Sequence, residues 1–131
     1  MTDKQIKDLI KTTVRETVEQ LKAAGLLLSE GMTAVEKTEE LLRQYPQLRQ
    51  SDEPYARRLV AEIDACLAAA EQDPYIDAVR LFYFAGLKNA ACANTMCYDE
   101  TTVRKNRRRL VKQFSVRLAS DEFIRELLAQ K

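Results

Sequence analysis

A chain of 131 residues with 46% hydrophobic and 31% charged side chains has a globular balance, which excludes an intrinsically disordered protein. It contains no histidine, three cysteines and three glycines. That composition removes the commonest general base and zinc ligand, a disulfide framework and a glycine-rich phosphate loop. The formal net charge of +1 hides an asymmetry, because residues 1–74 hold 10 basic and 14 acidic side chains while residues 75–131 hold 11 and 6.

No apolar run approaches the roughly 20 residues needed to span a bilayer. The start "MTDKQIKDLI" carries acids and has no apolar signal core, so a cytoplasmic protein with no membrane partner is expected. Cys66, Cys92 and Cys97 read as small buried apolar residues. No metal site and no cofactor is expected.

In chain order, the first predicted helix opens with a capping box from Thr2 to Gln5 and carries a stripe of Ile6, Ile10, Val14, Val18 and Leu21. Gly25 is its expected C-terminal stop, and "LLLSEG" is an apolar connection. The second helix, "TAVEKTEELLRQY", places Val35, Leu41, Leu42 and Tyr45 on one side and is expected to stop at Pro46, which has no amide hydrogen. Glu36, Glu39 and Glu40 on this helix read as a solvated face. The third helix is expected to be capped by Ser51 or Asp52, with Pro54 in its first turn and Ala56, Leu59, Val60, Ile63, Leu67 and Ala70 facing inward. These helices suit an antiparallel bundle, the first of them also being a candidate for pairing with a second copy.

Asp73 followed by Pro74 predicts a helix start, with Ile76, Val79, Phe82 and Tyr83 pointing inward and Gly86 ending the element. A short small-residue helix, "LKNAACANTM", follows. "CYD" makes a turn, and Asp99 caps a long helix from Glu100. Ser120 caps a last short helix. No segment alternates with period two, so the expected fold class is all-α: an N-terminal helical bundle or hairpin over residues 1–72, then a helix-turn-helix module over residues 73–131. The opposite charge of the two parts implies different partners, with oligomerisation or partner binding expected of the acidic first part.

The long helix carries the functional signal. On a wheel of about 100° per residue, Val103, Leu110, Val111, Phe114 and Leu118 gather on one side, and Arg104, Lys105, Arg108, Arg109 and Lys112 on the other. A solvated face ordinarily mixes signs. Here the i,i+4 pairs Arg104/Arg108, Lys105/Arg109 and Arg108/Lys112 repel, at a few tenths of a kcal/mol each, which an anionic partner would relieve. Arg107 falls in the middle of the apolar side. Two readings stay open for it: its stem lies on the core with the charge directed outward, or it pairs with an acid such as Asp77.

The stretch from Gly86 to Phe114 resembles the fourth region of sigma-70-type factors and related phage regulators. Their pattern runs Gly-Leu-Ser, then Ile-Ala in the supporting helix, Leu-Gly-x-Ser, and Thr-Val opening the recognition helix. Gly86, Leu87, Thr102 and Val103 match, and Cys92-Ala93 stands for Ile-Ala, Met96 for the leucine and Asp99 for the second cap. Lys88 replaces the first cap serine, Cys97 the turn glycine, and Arg107 a core leucine. The order of an acidic helical part with "TEELLRQYPQLR", then "VRLFYF", then "TTVRKNRRRLVKQ" also resembles the ArpU-like and RinA-like regulators of Gram-positive phages and prophages.

That resemblance implies a sequence-specific transcription regulator, an activator of phage or prophage genes, whose recognition helix 99–119 enters the major groove of double-stranded DNA. It further implies base contacts from Glu100, Thr101, Arg104, Lys105 and Arg108, a phosphate contact from Thr102, and backbone contacts from Arg109 and Lys112. RNA polymerase and a second copy of the chain are the implied protein partners. The competing reading is a helical interaction or structural protein, packaging-associated phage proteins included, whose basic helix binds nucleic acid or an acidic partner without specificity. An enzyme is not expected.

Overall fold

In the computed structural model, residues 31–129 are described and are all-α, with six α-helices and no strand among them. The first predicted helix, with Thr2, Gln5 and Gly25, lies outside the described residues.

Helix α1, Ala34–Leu48, begins with a reciprocal capping box: the Glu36 amide donates to the Thr33 hydroxyl at 3.1 Å, and the Thr33 amide donates to the Glu36 carboxylate. It buries Thr38, Leu41, Leu42 and Tyr45. Contrary to expectation, Pro46 does not end it. The helix runs on to Leu48, with the Arg49 amide donating to the Tyr45 carbonyl at 3.0 Å. Proline removes one hydrogen bond, but Tyr45 and Leu48 on either side of it pack into the core, and that packing holds the last turn.

Helix α2, Pro54–Ala69, has proline in its first turn as expected. Its N-cap is Glu53, however, and not Ser51 or Asp52. The Ser51 hydroxyl instead accepts the Glu53 amide at 3.2 Å, which shapes the entry one residue before the cap. Ala56, Leu59, Ile63 and Leu67 are buried, while Val60 and Ala70 are half-buried.

The next element differs most from a regular helix. Helix α3 covers only Ile76–Val79 and passes directly into a π-helical turn, Arg80–Phe84. Asp73 does not cap it; Tyr75 is its N-cap, and the Asp73 carboxylate accepts the Tyr75 amide at 2.9 Å. In the π-turn the Ala85 amide reaches back five residues to the Arg80 carbonyl at 3.0 Å. The extra residue lets Tyr83 be buried while Phe82 and Phe84, both half-buried, also pack on the core. Gly86 leaves the turn at φ 74°, a conformation that favours glycine.

Helices α4, Asn89–Met96, α5, Glu100–Leu118, and α6, Asp121–Leu128, complete the described chain. Asp99 caps α5 through the Thr102 amide, and Ser120 caps α6 through the Phe123 amide, both at 3.2 Å. Helix α5 touches every other helix. Its Val103, Leu110, Val111, Phe114 and Leu118 are all buried, as the wheel requires. The larger core joins Leu41 and Leu42 of α1, Leu59 and Ile63 of α2, Ile76 and Val79 of α3, the lower part of α5, and Phe123 and Leu127 of α6. It therefore takes residues from both sides of position 72. Each fully buried leucine contributes about 1.5–3 kcal/mol of hydrophobic stabilisation. A smaller cluster of Ala78, Cys92, Ala93 and Val103 seats α4 against the start of α5.

The three thiols are free, but only Cys92 is buried; Cys66 is half-buried and Cys97 exposed. The uniform reading of them as buried is corrected for those two. Burial still pushes the Cys66 thiol up to about 11.

Candidate nucleic-acid interface

The turn before α5 sets how that helix emerges. Cys97 has φ 61° and ψ 37°, the left-handed conformation usually reserved for glycine. The Tyr98 amide donates to the Ala93 carbonyl at 3.2 Å and the Cys97 amide to the Asn94 carbonyl at 3.4 Å, which is the Schellman pattern. One residue later Asp99 opens α5. Thus α4 closes and α5 starts within three residues, at a fixed angle set by backbone bonds. Tyr98 is exposed, and its ring rests against Tyr75 at 5.1 Å between centroids.

Of the residues singled out in the sequence, Glu100, Thr101, Lys105, Arg108, Arg109 and Lys112 are exposed, and Thr102 and Arg104 are half-buried. All eight lie on α5. Arg104, Lys105, Arg108 and Lys112 have no ion-pair partner among the described residues. Their charges face solvent together on one side of the helix.

Two members of the set are already engaged. Thr102 gives its amide to the Asp99 cap, and its hydroxyl lies 3.4 Å from the same carboxylate oxygen. Arg109 donates to Asp73 at 2.8 Å and, through Nε, to Asn106 at 3.1 Å. Asn106 itself donates to the Thr102 carbonyl at 2.9 Å, which ties its side chain back to the helix. Burial works against the Asp73 carboxylate, yet the Tyr75 amide and Arg109 outweigh it and hold its pKa below the usual range.

Arg107 does not direct its charge outward; it pairs with an acid, but the acid is Glu39 and not Asp77. Its guanidinium is buried, with 4% of the residue exposed. It does not reach Asp77, which pairs with Arg80. It lies 3.7 Å from the centroid of the Phe82 ring, donates to the Tyr83 hydroxyl at 2.7 Å and to the Asn89 side chain at 3.3 Å, and comes within 3.8 Å of Glu39. Tyr83 in turn donates to Glu39 at 2.7 Å. Glu39 is therefore not simply part of a solvated face, and its neighbour Arg43 lies at 3.9 Å. The Arg107 Nε has no hydrogen-bond partner. Sequence reasoning found Arg107 by its misplaced charge but missed Glu39, Tyr83 and Asn89, whose partners are remote in the chain. Burial, and next the Glu39 hydrogen bond, push the Tyr83 phenol far above its ordinary value.

Among the described residues no group of three or more His, Cys, Asp or Glu side chains comes together as a metal site, and no helix is long and apolar enough to cross a membrane. No protein-family model, no curated protein and no solved structure matches the chain.

Proposed function

We propose that this protein is a sequence-specific regulator that binds double-stranded DNA, with α4 and α5 forming a helix-turn-helix and α5 lying in the major groove. The single observation that carries this reading is the face of Arg104, Lys105, Arg108 and Lys112: four neighbouring cations without partners among the described residues, on a rigid capped helix. Such a face has a repulsion that phosphates relieve. The left-handed turn at Cys97 supports the reading as well, because the sigma-like pattern requires a glycine-type conformation there. Glu100 and Thr101 in the first turn, with Arg104, Lys105 and Arg108, are the base-reading candidates, and Lys112 is a backbone contact. Activation of phage or prophage genes, contact with RNA polymerase and a dimeric state belong to the same proposal, as implied by the sequence resemblance.

Selection of bound duplexes from a random pool at about physiological salt tests it. A shared motif supports a sequence reader, and a paired motif reports dimer geometry. Recovery of nothing better than random sinks the reading in favour of an unspecific basic surface. Binding should also weaken with salt at a log–log slope of about −0.9 per phosphate contacted, the Lys112 backbone contact included. A slope near zero rules out phosphate contact.

A further inference from the structure

We infer that Arg107 is a positioning residue which sets the rotation of α5, and that through Tyr83 it makes sequence discrimination by α5 depend on Glu39 of α1. This rests on the DNA-reading proposal above. Three elements converge on this one guanidinium: the π-turn through Phe82 and Tyr83, α4 through Asn89, and α1 through Glu39 across the Tyr83 hydroxyl. The site is an unlikely one for a charge on grounds of stability. Replacing a buried ionic group by an apolar one of similar volume is often neutral or stabilising, and here one donor, Nε, is left bare. What the charge supplies is geometry. A leucine at this position slides over its neighbours, whereas a planar guanidinium with directed donors fits one rotation of the helix. Arg108 next to it and Lys105 two positions before it belong to the outward face, so the rotation fixed by Arg107 decides where their side chains meet base edges.

The far end of the chain of contacts reaches the surface. Glu39 is about a quarter exposed and also lies near Arg43, which is nearly half exposed. A protein that engages Glu39 or Arg43 therefore withdraws or strengthens the carboxylate that the Tyr83 hydroxyl donates to. Helix α1 thus offers a handle on α5 at a place that does not touch DNA.

Two variants test this. Arg107→Met keeps the length of the side chain and removes the charge; Glu39→Gln alters the surface end and leaves the core apolar packing unchanged. Thermal unfolding establishes that each is folded. For both, affinity for random duplex should stay within about twofold of the unaltered protein. The ratio of affinity for the selected duplex over random duplex should fall, by about tenfold or more for Arg107→Met and by about threefold for Glu39→Gln. Wild-type ratios in folded variants overturn the inference. If the unaltered protein selects no duplex, the DNA reading fails by itself, and amide NMR shifts of DNA-free Glu39→Gln still decide the coupling. Shifts reaching Thr101–Arg104 support it, and shifts confined to the surroundings of Glu39 overturn it.

Discussion

Cys97 shows at the scale of one residue how a local rule is overridden. A side chain in the left-handed region costs about 1–2 kcal/mol, and the Schellman bonds of the turn together with the seating of α4 hold it there. Cys97→Gly should therefore raise stability by about 1 kcal/mol, or roughly 4 °C in Tm, in denaturant or thermal melts. Gly86→Ala should move it the other way, because its φ of 74° is strained for alanine even though no atom lies within 4 Å of the added carbon. On the outward face, Arg104→Ala should cost about 1–3 kcal/mol on the preferred duplex and relax one base position. An equal loss on every duplex would reassign Arg104 to a phosphate.

At the scale of elements, the polar ties between helices make separable predictions. Tyr83 joins the π-turn to α1 and α5 by two charge-assisted bonds. Tyr83→Phe leaves the guanidinium buried with less to satisfy it, and should cost about 2–3 kcal/mol in chemical denaturation. Glu62 of α2 is buried between Arg58 and Arg117, and Arg58 continues to Glu126 of α6. Burial raises the Glu62 pKa, but the hydrogen bonds from Arg117 and Arg58 outweigh that and leave it below the ordinary carboxylate range. A carboxyl depressed in the fold stabilises fully above its unfolded pKa of about 4.3 and loses that contribution as pH falls through the lower folded value. Stability followed from pH 7 downward should thus decline below about pH 4, and Glu62→Gln should be less stable near neutrality with a shallower decline on this acid limb. An unchanged acid limb in Glu62→Gln would remove Glu62 from the account. Legibility from sequence also divides at this scale. Asp99 and Ser120 were readable because a cap is chemistry within three residues. The π-turn and the run of α1 past Pro46 were not, since both depend on core packing by residues far apart in the chain.

At the scale of the whole molecule, the sequence showed an all-α chain and both sides of α5, because amphipathic spacing records which side is covered. It did not show what covers it. The apolar positions of α5 were correct to the residue, yet the identity of the opposing wall, with α1, α2, α3 and α6 in one core, came only from the fold. The same holds for the candidate interface. Its five basic residues were legible as one face of a helix, whereas the engagement of Arg109 by Asp73, 36 positions away, was not.

That ion pair has a thermodynamic consequence for any polyanion. Asp73 acts as a resident competitor: its carboxylate occupies the place at Arg109 that a phosphate would take, so one cation of the face is released only by exchange. Removing the competitor should expose a further counterion site. Asp73→Asn is expected to steepen the salt slope of binding by about 0.9 and to tighten the complex most at low ionic strength. Under the proposed DNA reading, the protein spends one arginine on its own architecture until a phosphate displaces the carboxylate.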